Sequence, residues 1–242
     1  MKKLYKTLTI LSFCSLSLTA MSQDYEHYDS RDQSWERHKN VHQKSQKGSN
    51  IFKKKDFGLI LAINSFDAAY DMPELNTWQS RYVGLQWRRN NRLLTGRQVD
   101  VALGTGLEIG WNNFMMQHDE QYYQQGEISD FELLDYPLEK SKLVVNTLNI
   151  PVMLQFGFKE SDFKFGIGAY GGVRINSYQK FKEADQSKYK EKGAYNLRKF
   201  NYGLMAEAGR GDFKLFAKYD MLPMFNDNNP INANVLSIGV RL

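Results

Sequence analysis

Histidine is scarce in this chain: His27, His38, His42 and His118 are the four it contains. His38 and His42 lie in "HKNVH", four residues apart. That spacing puts two imidazoles on one face of a helix, where a metal ion can sit between them. The surrounding residues show no apolar period that would fold such a helix, so the sequence predicts a solvated tail there. His118 lies in "QHDE" (117–120) beside Asp119. A hydrolytic centre would need that imidazole oriented by a carboxylate and turned toward a nucleophile or a water. Adjacent residues on an extended chain point opposite ways, and no nucleophile completes the set. The sequence therefore predicts a non-enzymatic protein with no catalytic residue, no cofactor and no metal.

"GRGD" (209–212) contains Arg-Gly-Asp but reads as a hairpin turn in which Gly211 supplies a positive φ. With Arg210 and Gly211 as the two turn residues, Gly209 faces Asp212 and Ala208 faces Phe213. Glu207 then faces Lys214, opposite charges directly across the hairpin, and Ala206 faces Leu215.

The elements that would carry these residues start behind an export signal. In "MKKLYKTLTILSFCSLSLTAMSQ", Lys2, Lys3 and Lys6 precede an apolar run, and Ala20 and Ser22 are the small residues of a cleavage site, so 1–23 reads as a signal peptide. Cys14, the single cysteine, falls inside it, which leaves the exported chain without disulfides. The net charge of +5 includes those three lysines; removing them leaves +2, no basis for nucleic-acid binding. Mean hydropathy is −0.56. That value suits a soluble protein, and also a membrane β-barrel, in which only alternate residues meet lipid. An aromatic content of 14% fits the interfacial girdles of such barrels.

Residues 24–56 are polar, without apolar period, and read as a flexible periplasmic segment. From Phe57 to Leu242 the texture changes to period-two alternation with frequent glycine. Eight strands are expected, at 57–66, 79–91, 98–116, 141–158, 162–180, 197–209, 212–222 and 232–242. The connections between them alternate long and short, as tight periplasmic turns and long outer loops do in outer-membrane barrels. Pro151 inside the fourth strand is expected to mark a bulge. The last strand, "NVLSIGVRL", puts Leu236, Ile238, Val240 and Leu242 on one face and would pair with the first strand, closing the sheet.

Alternation does not say which face is inside. A soluble lipocalin-like barrel buries the apolar face; a membrane barrel turns it out. The polar face carries Gly104, Gly106, Gly110, Gly166, Gly168 and Gly172. It also carries both signs of charge, in Arg88, Asp100, Glu108, Lys164, Arg174, Glu207, Lys214, Lys218, Asp220 and Arg241. Mixed charges separated by glycine suit a narrow lumen in which they can pair. The expected fold is thus an all-β, eight-stranded antiparallel transmembrane β-barrel with its apolar face outward. Trp87 and Trp111 fall on the lipid side, where interfacial anchoring is their natural role.

The stretches "SRYVGLQW" (80–87), "GTGLEIGWNNF" (104–114), "LNIPVMLQFGF" (148–158), "FKFGIGAYGGVRI" (163–175) and "LSIGVRL" resemble the PorT-like outer-membrane β-barrels of Bacteroidota. The resemblance implies an integral barrel of the cell outer membrane, with relatives associated with secretion or envelope assembly. Outer-membrane barrels often end in an aromatic residue read by the assembly machinery, and Leu242 departs from that pattern. Outer-membrane lipid, the barrel assembly machinery through the C-terminal strand, and envelope or secretion proteins are the expected partners, with a structural or assembly role exerted through loops or tail. The lumen is expected to be plugged. Two other readings follow from the same residues: an enzyme acting at the outer rim, if polar groups of 117–140 and 223–231 converge, and a soluble ligand-binding barrel.

Overall fold

The computed structural model describes residues 51–70, 72–117, 120–125, 128–133, 138–183 and 188–242. The signal reading (1–23), residues 24–50 of the polar segment with His27, His38 and His42, and the His118–Asp119 pair lie outside them.

The described chain forms β1 (Lys55–Tyr70), β2 (Arg81–Thr95), β3 (Val99–Met115), β4 (Glu120–Gln125), β5 (Ile128–Leu133), β6 (Leu138–Phe158), β7 (Phe163–Glu183), β8 (Lys188–Lys192), β9 (Phe200–Arg210), β10 (Phe213–Asp220) and β11 (Asn232–Arg241). Eight of these pair in a ring of antiparallel neighbours, β1-β2-β3-β6-β7-β9-β10-β11, and β11 returns to β1 through Ile60–Arg241 to Asp67–Asn234. Leu59 and Leu242 exchange backbone hydrogen bonds at 2.9 and 2.8 Å, extending that seam by one pair. A closed ring leaves no unpaired edge.

The faces follow from period two. On β2, Tyr82, Gln86, Arg88 and Asn90 are buried, while Leu85 and Trp87 between them are exposed. On β9, Asn201, Met205 and Glu207 point in and Tyr202 and Leu204 point out. Ile150, Val152, Ile167, Leu204, Leu215 and Ile238 are each between 44% and 62% exposed and form one belt around the outside. A water-facing surface rarely carries so continuous an apolar patch. Every charge assigned to the lumen from sequence lies on the inner parity. Trp87 is exposed on the belt, and Trp111 is half-buried on the same face.

Four boundaries and registers differ from the sequence expectation. β1 starts at Lys55, and Ile51 to Lys54 lie against the barrel mouth, so the barrel begins upstream of Phe57. The two long loops carry strands of their own: β4 pairs with β5 as a hairpin, and β8 adds to the upper half of β7. Pro151 makes no bulge. The β3–β6 register runs from Thr105–Val152 to Glu108–Asn149 without a shift, because the ladder omits two pairs around the missing N–H. The bulge sits instead at Asn146/Thr147, against Arg174 and Asn176 of β7. Finally, the β9–β10 turn consists of Gly211 and Asp212, with Arg210 opposite Phe213. Gly211, at φ 58°, occupies the first turn position, which favours glycine. Every pair of that hairpin is therefore displaced by two residues: Gly209 faces Lys214, Glu207 faces Phe216 and Ala206 faces Ala217.

Candidate functional site in the barrel lumen

The lumen is built by inward side chains of all eight ring strands, and most of its charged groups fall into two linked clusters, while Asp100 pairs apart from them with Lys159 at 2.9 Å. Nearer the short turns, Arg88 on β2 gives Nη2 to Glu207 Oε1 at 2.8 Å and to Asp56 Oδ2 at 3.2 Å. Arg241 on β11 donates to the same Asp56 oxygen at 2.8 Å, and Lys214 on β10 donates to Glu207 at 2.9 Å. Deeper in the barrel, Glu108 on β3 accepts from four donors: Tyr82 Oη (2.6 Å), Lys218 Nζ (2.8 Å), Gln86 Nε2 (2.9 Å) and Asn149 Nδ2 (3.0 Å). Gln86 joins the two clusters, since its Oε1 accepts from Arg241 Nε at 3.0 Å while its Nε2 serves Glu108. Lys218 Nζ lies 4.1 Å from the centre of the Tyr170 ring, a cation–π contact. The Tyr170 hydroxyl in turn donates to Asp220.

Such a network is possible because glycine clears space for it. A Cβ on Gly58 would meet the Arg241 guanidinium at 2.5 Å, and one on Gly104 would meet Arg88 Cδ at 2.8 Å. Paired, hydrogen-bonded charges are the form in which ions are tolerated away from water.

Both mouths carry further side chains. At the turn end Phe52 is 4% exposed and packs at Gly157, and Asn90 Nδ2 donates to the Lys53 carbonyl at 2.8 Å. Lys53 Nζ reaches Asp212 at 2.8 Å; its hydrogen bond and charge hold the Asp212 carboxyl below the usual carboxylate range. At the loop end Phe114, Met116, Leu143, Tyr195, Met224 and Phe225 form an apolar cluster. Arg174 fastens the loop above it by donating to the Met224 carbonyl at 2.9 Å.

The "GRGD" stretch sits at the turn end, its Asp212 engaged by Lys53. The loops 117–140 and 223–231 do meet, through Asn229. Its Oδ1 accepts from the Ser129 N–H at 2.8 Å, and its Nδ2 donates to the Ser129 and Ile231 carbonyls at 2.9 and 3.0 Å. Its Oδ1 also accepts from Asn196 Nδ2 at 3.1 Å, so the amide is spent on fastening the loops together. Asp56, Gln86, Tyr82 and Asn149 are residues of this network that the sequence did not single out. Asp56 was reachable by carrying the alternation one step back from Gly58; the neutral three carry no signal of their own. A depression of about 740 Å³ is lined mainly by residues of outward parity, among them Leu154, Ile167, Leu204 and Ala217, together with Gly168, Met205 and Lys218 of the inner parity.

The model of the outer membrane protein beta-barrel domain matches residues 85–227, more than half of the chain. The chain belongs to this outer-membrane β-barrel family. It is an integral protein of the outer membrane, and the belt of exposed Ile, Leu, Val and Phe is its lipid-facing wall. Among solved structures, the chain is similar to Ail, the attachment invasion locus protein of Yersinia pestis. The likeness covers 78% of this chain and 97% of that one, at 11% identity and a TM-score of 0.29. No curated protein matches the chain.

Proposed function

We propose that this protein is a sealed, non-enzymatic outer-membrane barrel that acts through its surface, in a structural or envelope-assembly role, and conducts nothing through its lumen. The observation that supports this reading is the continuous side-chain network from Asp56 and Arg241 through Gln86 to Glu108 and Lys218, with Phe52 at one mouth and Phe225 at the other. Eight strands enclose an interior that side chains can fill, and these are large and paired. The turn end faces the periplasm and the loop end the exterior, as the loop lengths favour. Within the family the protein sits with the PorT-like barrels of Bacteroidota, on the stretches 80–87, 104–114, 148–158 and 163–175. Its partners are outer-membrane lipid, the barrel assembly machinery through β11, and envelope or secretion proteins.

The test is planar-bilayer recording on the full-length protein. The expected result is the absence of a stable large conductance. Steady open channels would reject the sealed-lumen reading.

A further inference from the structure

Above the apolar belt, β6 and β7 run past the ring, and β8 pairs with β7 there to make a three-stranded sheet. Its backbone register aligns lysines. Lys142, Lys180 and Lys190 stand directly opposite one another across β6, β7 and β8. Lys140, Lys182 and Lys188 form the next row, and Lys192 stands opposite Tyr178 in the row below. The alternate positions Ser141, Leu143 and Gln179 are buried on the lumen side. Lys140, Lys142, Lys180, Lys182, Lys190 and Lys192 therefore share the outward face, and Lys140, Lys180, Lys190 and Lys192 are exposed on it. Like charges directly opposite each other destabilise a sheet. Among the described side chains of Lys140, Lys142, Lys180, Lys182, Lys190 and Lys192, Lys182 alone has a carboxylate partner, Glu139. Lys190 and Lys180 lie over the Tyr178 ring, at 4.2 and 5.3 Å from its centre, which holds them side by side.

This face continues the lipid-facing wall. Ile150, Leu148 and Ile175 are exposed below it. Lys142 lies six residues beyond Leu148 and Lys180 five beyond Ile175, about 17–20 Å along the strands. With strands tilted by about 45°, that is roughly 12–14 Å above the apolar edge. The aliphatic stems of lysine bend back toward a bilayer and lower the ammonium groups by several ångströms. The groups then hang over the outer part of the headgroup layer, beyond the single phosphate of a simple phospholipid. Anions held there by a larger headgroup would relieve the repulsion between rows.

We propose that this lysine grid binds the phosphates of phosphorylated glycolipid headgroups in the outer leaflet. The inference rests on the loop end facing outward, and that premise is tested separately. A membrane-impermeant maleimide applied to intact cells should label Lys180→Cys; labelling only after lysis would overturn the orientation and the proposal with it.

For the site itself, full-length protein and the triple variant Lys142→Gln/Lys180→Gln/Lys190→Gln are placed in nanodiscs. Native mass spectrometry then counts bound phosphorylated lipid A, the same lipid stripped of its phosphates, and phosphatidylglycerol. The expected result is preference of the native protein for phosphorylated lipid A, weakened on the order of tenfold to a hundredfold in the triple variant. The matching Lys→Arg variant should retain it, and heat-modifiable gel mobility should show all variants folded. Equal retention of the stripped lipid, preference for phosphatidylglycerol, or unchanged binding by the folded triple variant would each overturn the proposal.

Discussion

Glu207 and Lys214 form an ion pair at 2.9 Å although the backbone sets neither opposite the other: Glu207 faces Phe216 and Lys214 faces Gly209. The pair is diagonal, made by a long lysine reaching across the β9–β10 hairpin inside the lumen. Diagonal neighbours on one face are about 7–8 Å apart at the backbone, within reach of such a side chain.

The register follows as the first prediction. Ala206→Cys with Ala217→Cys places two thiols directly opposite on the lipid face, so oxidation should crosslink them. Ala206→Cys with Leu215→Cys should crosslink far more slowly, because a disulfide does not span Cα atoms more than about 7 Å apart. Gel mobility after oxidation and mild proteolysis reads the result; the opposite ranking would restore the alternative turn at Arg210–Gly211.

Glu108 is the acceptor on which four donors converge, so its charge is predicted to be structural. Glu108→Gln leaves Lys218 buried without a counter-charge and should cost about 3–5 kcal/mol. The double variant Glu108→Gln/Lys218→Met should recover a good part of that loss. Urea unfolding in lipid vesicles measures both; a full-length variant that unfolds at the wild-type midpoint would show that the network carries little.

Gly58 tests the packing of the lumen. In Gly58→Val the new side chain runs into the Arg241 guanidinium, which is held by Asp56 and Gln86. Overpacking of this kind costs about 1–3 kcal/mol. A Cβ added at Gly171 would meet nothing within 4 Å, so Gly171→Ala serves as the control and should fold with wild-type stability.

Asp212 and Lys53 give a pH dependence with a defined sign. The Asp212 pKa is lowered in the folded protein and the Lys53 pKa is raised, each by the hydrogen bond to the other. The carboxylate's contribution is present above its unfolded pKa and is lost as pH falls through the folded one. The ammonium's contribution is present below its unfolded pKa and is lost as pH rises through the folded one. The tether of Lys53 to the turn is therefore strongest between the two ranges. Both side chains are exposed, so the effect on global stability is small. Carboxyl-carbon NMR should show Asp212 titrating at higher pH in Lys53→Gln than in the native protein; superimposable curves would remove the tether.

Much of this fold was legible in the residues. The strand number, the alternation of long and short connections, and the assignment of Arg88, Glu108, Glu207, Lys214, Lys218 and Arg241 to the lumen all follow from a side-chain period of two. That period is a local property, set wherever the backbone is extended. The apolar-outward choice followed from which face carried glycines among mixed charges.

Register is different. A slip of one residue would turn Lys214 and Lys218 toward lipid, so the sequence forbids it. A slip of two residues leaves every side chain on its own face and keeps Glu207 within reach of Lys214 as a neighbour of another kind. The residues of the hairpin are compatible with both pairings, and the placement of Gly211 and Asp212 in the turn, with β10 held by β11 on its far side, decided between them. The bulge at Asn146/Thr147, the loop hairpin β4–β5 and the packing of Phe52 at the mouth are likewise products of tertiary contact. Each depends on which distant segment arrives at a given height in the closed ring, and no local period in the chain encodes that.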